Sequence, residues 1–152
     1  FKCDWSSDVC SSDLDAPFLL QEMHRGNQSL VYNKFSFNVM NEFEYVSDEY
    51  AGLWYAHHFD GLIMNQLPLI KLLKWRSIAL FRGVAGRFSD SNRAIIDLPS
   101  GLDSIDGLYM EAGFGIENIF KLFRVDMMWR LTQRDKEGIN KWGIRIALQP
   151  KF

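Results

Sequence analysis

Few side chains in this chain have both the type and the spacing to do chemistry. His57 and His58 come first, since an imidazole pair can ligate a metal or carry protons. They are adjacent in an alternating stretch, and neighbouring strand residues point to opposite faces, so the two cannot serve one ion. One interfacial and one lumen-facing imidazole is the plainer reading. Asp97, Asp103 and Asp106 supply the oxygen ligands that calcium takes, but not at the spacing of a calcium loop, and read as a solvated loop. The thiols of Cys3 and Cys10 are the remaining nucleophiles, and they lie in an opening stretch that is set aside below. No carboxylate pair and no histidine–carboxylate spacing stands out. The expectation is a protein with no catalytic residue, no metal and no cofactor, and not an enzyme.

The opening stretch, residues 1–14, looks like translated sequencing adapter joined to a reading frame, and it is left out of fold reasoning. Both cysteines go with it, and with them any disulfide argument. It carries Lys2 against Asp4, Asp8 and Asp13, which accounts for the whole formal charge of −2 and leaves the rest of the chain neutral. A neutral balance offers no basic footprint for nucleic acid. No run of 18 apolar residues exists, which excludes a spanning helix but leaves spanning strands open. The expected domain order is adapter at 1–14, an irregular lead-in at 15–33, and barrel strands at 34–152, with upstream strands of the same protein missing.

The elements able to place side chains are strands. In the terminal stretch, Trp142, Ile144, Ile146, Leu148 and Phe152 share one parity, while Gly143, Arg145, Ala147, Gln149 and Lys151 share the other. Ten residues at about 3.3 Å each, tilted by about 45°, rise roughly 23 Å, the height of the apolar band of an outer-membrane barrel. The same alternation sets Leu108, Met110, Ala112, Phe114 and Ile116 against Tyr109, Glu111, Gly113, Gly115 and Glu117. It sets Phe123, Val125, Met127, Trp129 and Leu131 against Arg124, Asp126, Met128, Arg130 and Thr132. Residues 50–59 alternate too, and so do residues 35–45, with Phe35, Phe37, Val39, Phe43 and Tyr45 opposing Ser36, Asn38, Glu42 and Glu44. The weakest strand is 75–86, where Arg82 interrupts Ile78, Leu80 and Val84. A short helix near 66–74, opened by Pro68, turns Lys71 and Lys74 to one side; it suits a membrane surface and a plug packed on a soluble sheet equally well. Residues 87–107 form a long polar loop.

The fold class that follows is all-β: an antiparallel up-and-down meander of about six strands, the C-terminal part of a transmembrane β-barrel. One face of the strands is apolar, and the chain offers little to cover it, so lipid supplies the missing layer. The other face carries the expected lumen charges Glu42, Glu44, Glu111, Glu117, Arg124, Asp126, Arg130 and Arg145, in both signs, able to pair across a wet lumen. The expected interfacial aromatics are Phe35, Tyr45, Phe59, Trp75, Phe123, Trp129 and Trp142. An open sheet edge in hydrocarbon is not viable, so the strands must close with others. Pro150 suits a strand end, because it cannot donate to a ladder.

Several blocks resemble a known family: His24-Arg-Gly-Asn-Gln28, His57-His-Phe-Asp-Gly61, Leu67-Pro-Leu-Ile-Lys-Leu-Leu-Lys-Trp75, Gly113-Phe-Gly-Ile-Glu-Asn-Ile-Phe120, Phe123-Arg-Val-Asp126, Trp142-Gly-Ile-Arg145 and Phe152. They are similar to the C-terminal barrel of the bacterial surface-antigen and outer-membrane assembly-factor superfamily, nearest to its uncharacterised members with an N-terminal carboxypeptidase-regulatory-like domain. The resemblance implies the outer membrane of a Gram-negative bacterium. It also implies a terminal signal read by the barrel-insertion machinery, carried here by Phe152 with Leu148, Ile146 and Ile144, although Pro150 stands where such signals more often have an aromatic. The expected role is non-enzymatic: protein insertion or translocation, or surface display. The alternative is a soluble antiparallel sheet or small barrel binding an apolar ligand.

Overall fold

A computed structural model describes residues 2–11, 22–59, 64–66, 72–95, 97–99, 101–105, 107–136 and 138–149. In chain order the elements are β1 (Lys2–Ser11), β2 (Glu22–Met23), β3 (Tyr45–Ser47), β4 (Glu49–His58), β5 (Arg76–Arg87), α1 (Asp90–Ile95), β6 (Asp103–Ser104), β7 (Gly107–Ile119), β8 (Phe123–Arg130) and β9 (Trp142–Leu148). Six of them form one antiparallel sheet in the order β1-β4-β5-β7-β8-β9, a meander from β4 onward. The sheet is open, with β1 and β9 at its two edges. A small second sheet, β2-β3-β6, packs beside it.

The count of six agrees with the sequence expectation, but its first member does not. Residues 35–44 form bends and turns rather than a strand, with Phe43 at a φ of 57°. Their alternation is overridden by asparagines at 27, 33 and 38, whose side chains bond the local backbone: Asn27 Oδ1 accepts the Ser29 N–H at 3.0 Å, Asn33 Oδ1 accepts the Phe35 N–H at 2.9 Å, and Asn38 Oδ1 accepts the Asn33 N–H at 3.2 Å. The sixth strand is β1, within the stretch set aside as adapter, paired along all of β4 from Lys2–His58 to Ser11–Glu49. Ladder hydrogen bonds run between backbone groups, so an open strand edge accepts an extended chain whatever its side chains.

Residues 24–48 lie on one face of the large sheet, called inner below. Phe37, Met40 and Tyr45 pack there with Val84, Tyr109 and Ile105, and Val39 packs with Ile78, Leu80 and Met128. Glycines on β7 make room for the inward side chains of β8: a Cβ at Gly115 would run into the Asp126 carboxylate, and one at Gly113 into the Met128 sulfur. At the far edge the same segment turns outward. The Tyr32 N–H donates to the Ile146 carbonyl at 2.9 Å, and the Ile146 N–H donates to the Leu30 carbonyl at 2.7 Å, a parallel bridge on the outer side of β9.

The helix expected near 66–74 falls mostly outside the described residues; among those described, Met64–Gln66 is a single 3₁₀ turn and 72–74 a turn. The 87–107 loop contains α1 and β6. Asp106, Pro150 and Phe152 lie outside the described residues. No helix among the described residues is long and apolar enough to cross a membrane.

Candidate functional site

The strand register decides which side chains share a surface. Opposite one another run Trp54–Arg82, Arg82–Glu111 and Glu111–Arg130, and likewise Gly115–Asp126 and Asp126–Arg145. All of these side chains therefore lie on the inner face. The charged ones are buried: Glu111 and Asp126 are wholly inaccessible, and Arg82, Glu117, Arg124, Arg130 and Arg145 are 7% exposed or less.

Nearly every charge is engaged, and most bind the inner segment. Arg130 donates to Glu44 Oε1 and Oε2 at 2.6 and 3.1 Å and to the Tyr45 hydroxyl at 2.8 Å. Its guanidinium also lies 4.8 Å from the centre of the Tyr109 ring. Glu111 accepts the backbone N–H groups of Asn38 and Val39 at 2.7 and 3.0 Å, one on each oxygen. Arg82 stands 3.8 Å from Glu111, donates to the Tyr32 hydroxyl at 2.6 Å and to the Asn33 carbonyl at 3.1 Å, and bonds the Ser36 carbonyl closely. Arg145 donates to the Asn27 carbonyl at 2.9 Å. A buried charge with one partner removed is strongly destabilising, so these bonds fix where the segment lies.

A second group sits toward the end of the sheet where the β7–β8 turn lies. Arg124 donates to Asp126 at 2.8 Å and approaches Glu117 at 3.5 Å, while His58 and Glu117 are 3.1 Å apart. The Tyr32 ring covers the Arg124 guanidinium at 4.4 Å. His57 faces the other way, stacked near Tyr55 and edge-on to Phe59, so the two histidines do lie on opposite faces. Beyond the strands, His24 is buried with its Nε2 at 2.7 Å from the Ser47 hydroxyl, and burial pushes its pKa down to about 4. Among the described residues no group of three or more metal-ligating side chains is placed to hold an ion.

Three placements differ from those expected. Glu42 is exposed in a turn and not on the inner face, because no strand runs there to impose alternation. Tyr45 is wholly buried, with its hydroxyl on Arg130, and is no interfacial aromatic. Arg82 interrupts the apolar parity of β5, yet it is part of the inner charged layer. The inner face is also not a wet lumen: polypeptide fills it. The asparagine-rich run at 27–41 was the sequence signal for that filling.

The outer face is the reverse. Leu53, Tyr55, Leu108, Phe114, Met127, Ile144, Ile146 and Leu148 are exposed by 38 to 72% or close to it, with Met127 at 37%. Phe123 pairs with Leu148 at one end of the β8–β9 ladder and Trp129 with Trp142 at the other, so outer aromatics sit at both levels. Six residues of strand, about 20 Å, separate Phe123 from Trp129. Phe59 and Trp75 flank the Phe123 end of the sheet and are half-buried, and Phe35 is exposed beyond the strands.

Comparison with known proteins is sparse. Neither a curated protein nor a solved structure matches the chain. Residues 18–86, which span the inner segment, β4 and most of β5, match the C-terminal domain of a family of unknown function, DUF5686.

Proposed function

We propose that this chain is part of a non-enzymatic β-barrel of a Gram-negative outer membrane, its strands facing lipid outside and a polypeptide filling inside. One observation carries the reading: the apolar face of the sheet is the exposed one and the charged face is buried. A soluble sheet folds the other way round, since apolar area gains about 25 cal/mol per Å² on leaving water. The two aromatic levels support it, matching the girdles that bracket the apolar band of such barrels. The same observation weighs against a soluble apolar-ligand binder, whose apolar side would be the enclosed one.

Within that reading, the likeness to the surface-antigen and assembly-factor superfamily suggests a role in protein insertion, translocation or surface display. The barrel-insertion machinery is then the biogenesis partner, reading Ile144, Ile146, Leu148 and Phe152. The outward placement of the first three on β9 supports that assignment. The test is folding in detergent or lipid vesicles, read by heat-modifiable gel mobility and protease resistance. A barrel gives a compact band that unfolds only on boiling; a chain that is monodisperse and folded in plain buffer overturns the proposal.

A further inference from the structure

Outside the charged layer, the strained backbone of the described residues gathers at one end of the sheet. Of the six non-glycine residues with positive φ, four are there: Lys74 at 53°, Asn118 at 66°, Phe120 at 50° and Lys121 at 64°. An aromatic side chain in this region is an outlier that glycine would relieve. Phe120 nevertheless stands 82% exposed at the tip of the β7–β8 turn, with Leu122 beside it at 46%. From the β4–β5 connection Leu72 and Leu73 are exposed by 83 and 51%. The two segments are joined, for Asn118 Nδ2 donates to the Lys74 carbonyl at 2.8 Å. The exposed charges that these connections carry, among the described residues, are Lys74 and Lys121, both positive. The connections at the opposite end carry both signs, with Asp90, Asp97, Asp103 and Asp135 among Arg93, Arg134, Lys136 and Lys141.

Four apolar tips and two lysines beyond the aromatic level at Phe123 lie where headgroups meet acyl chains. We infer that this end of the sheet, formed by Leu72, Leu73, Lys74, Phe120, Lys121 and Leu122, docks on the anionic phospholipid headgroups of one leaflet. The lysines pair with phosphate, and the apolar tips enter the acyl boundary. The strain at Phe120 is kept because the left-handed turn aims the ring outward. The tightest connection of the meander, the three-residue β7–β8 turn, is at this end, against eleven residues for β8–β9 at the other, which favours the periplasmic side of a barrel. The inference rests on the membrane reading above.

The test reconstitutes the full chain in phosphatidylcholine bilayers with spin-labelled phosphatidylglycerol or spin-labelled phosphatidylcholine, and measures the motionally restricted lipid by electron paramagnetic resonance. Phosphatidylglycerol should be favoured on the order of fivefold at low salt, and less at high salt. Lys74→Gln with Lys121→Gln should abolish the preference, while Arg134→Gln with Lys141→Gln at the other end should leave it. Phe120→Gly, which relieves the backbone, should still lower the restricted phosphatidylglycerol about twofold. Equal restriction of the two lipids, or a preference lost only with the Arg134 and Lys141 changes, overturns this inference and leaves the barrel standing. No restricted lipid of either kind overturns both.

Discussion

Arg130 on β8 reaches Glu44, 86 positions earlier in the chain, and holds both of its carboxylate oxygens, at 2.6 and 3.1 Å. Neither side chain touches water to any extent, so each is the other's solvation. Breaking one side of such a pair costs about 3 to 5 kcal/mol, whereas removing both costs much less. Arg130→Met and Glu44→Gln should therefore each loosen residues 38–46, and the double variant should recover a large part of the loss. Amide hydrogen exchange across 38–46 reads this directly; protection in all three variants equal to that of the unmodified protein would mean that the pair does not anchor the segment.

Glu111 anchors the same segment differently, by taking two backbone N–H groups, one on each oxygen. In Glu111→Gln the amide nitrogen cannot accept, so Asn38 or Val39 is left with a buried unpaired donor, at about 1 to 3 kcal/mol. Faster exchange at those two amides is the expected sign. Glu42→Gln, on an exposed turn, should change stability by less than about 0.5 kcal/mol.

His24 makes the fold sensitive to acid. Its folded pKa is lowered to about 4 by burial, while the unfolded ring titrates near 6.5. The unfolded state thus binds the proton first, and stability falls as pH drops from about 6.5 to about 4, then levels off. The full effect is about 3 kcal/mol. Urea midpoints of the detergent-folded protein between pH 7 and pH 4 should trace that fall, and His24→Gln should flatten its share of it. An unchanged slope in the variant would place the acid sensitivity elsewhere.

Met127 lies near the middle of β8 on the outer face, opposite Ile144. A lysine or arginine at the midplane of a barrel's lipid face costs about 2 to 4 kcal/mol. Met127→Arg should destabilise the vesicle-folded protein by that amount, while Asp135→Arg in the β8–β9 connection should be silent. Were the face exposed to water, Met127→Arg would be harmless or would improve solubility. Unfolding titrations in vesicles separate the two.

The parts of this fold that were readable from sequence are those where a single rule acts. In β7, β8 and β9 one face is exposed and is met by no other segment among the described residues, so alternation alone sorts Glu111, Arg124, Asp126, Arg130 and Arg145 inward and Phe114, Met127, Trp129 and Ile144 outward. In β5 a second rule competes. Ile78, Leu80 and Val84 face inward because Phe37, Val39 and Met40 are there to meet them, and Arg82 sits among them because Glu111 and three groups of the inner segment receive it. Residues 35–44 carried the parity of a strand, but an asparagine turn, the nearby Glu44 carboxylate and the Glu111 carboxylate of β7 took up their backbone hydrogen bonds. Glu111 is 73 positions from Asn38 in the sequence, and no local pattern announces it.

The bridge between Val31 and Ile146 gives the inner segment a second duty. The thread that stuffs the shell also hems its margin, and both ends of the hem are tied at one residue of β9. Pulling out the stuffing would unpick the hem in the same movement: the hydrogen bonds of Leu30 and Tyr32 to Ile146 would leave with Asn27 and Arg145, baring the backbone of the last strand. Interior and border are in this protein a single seam.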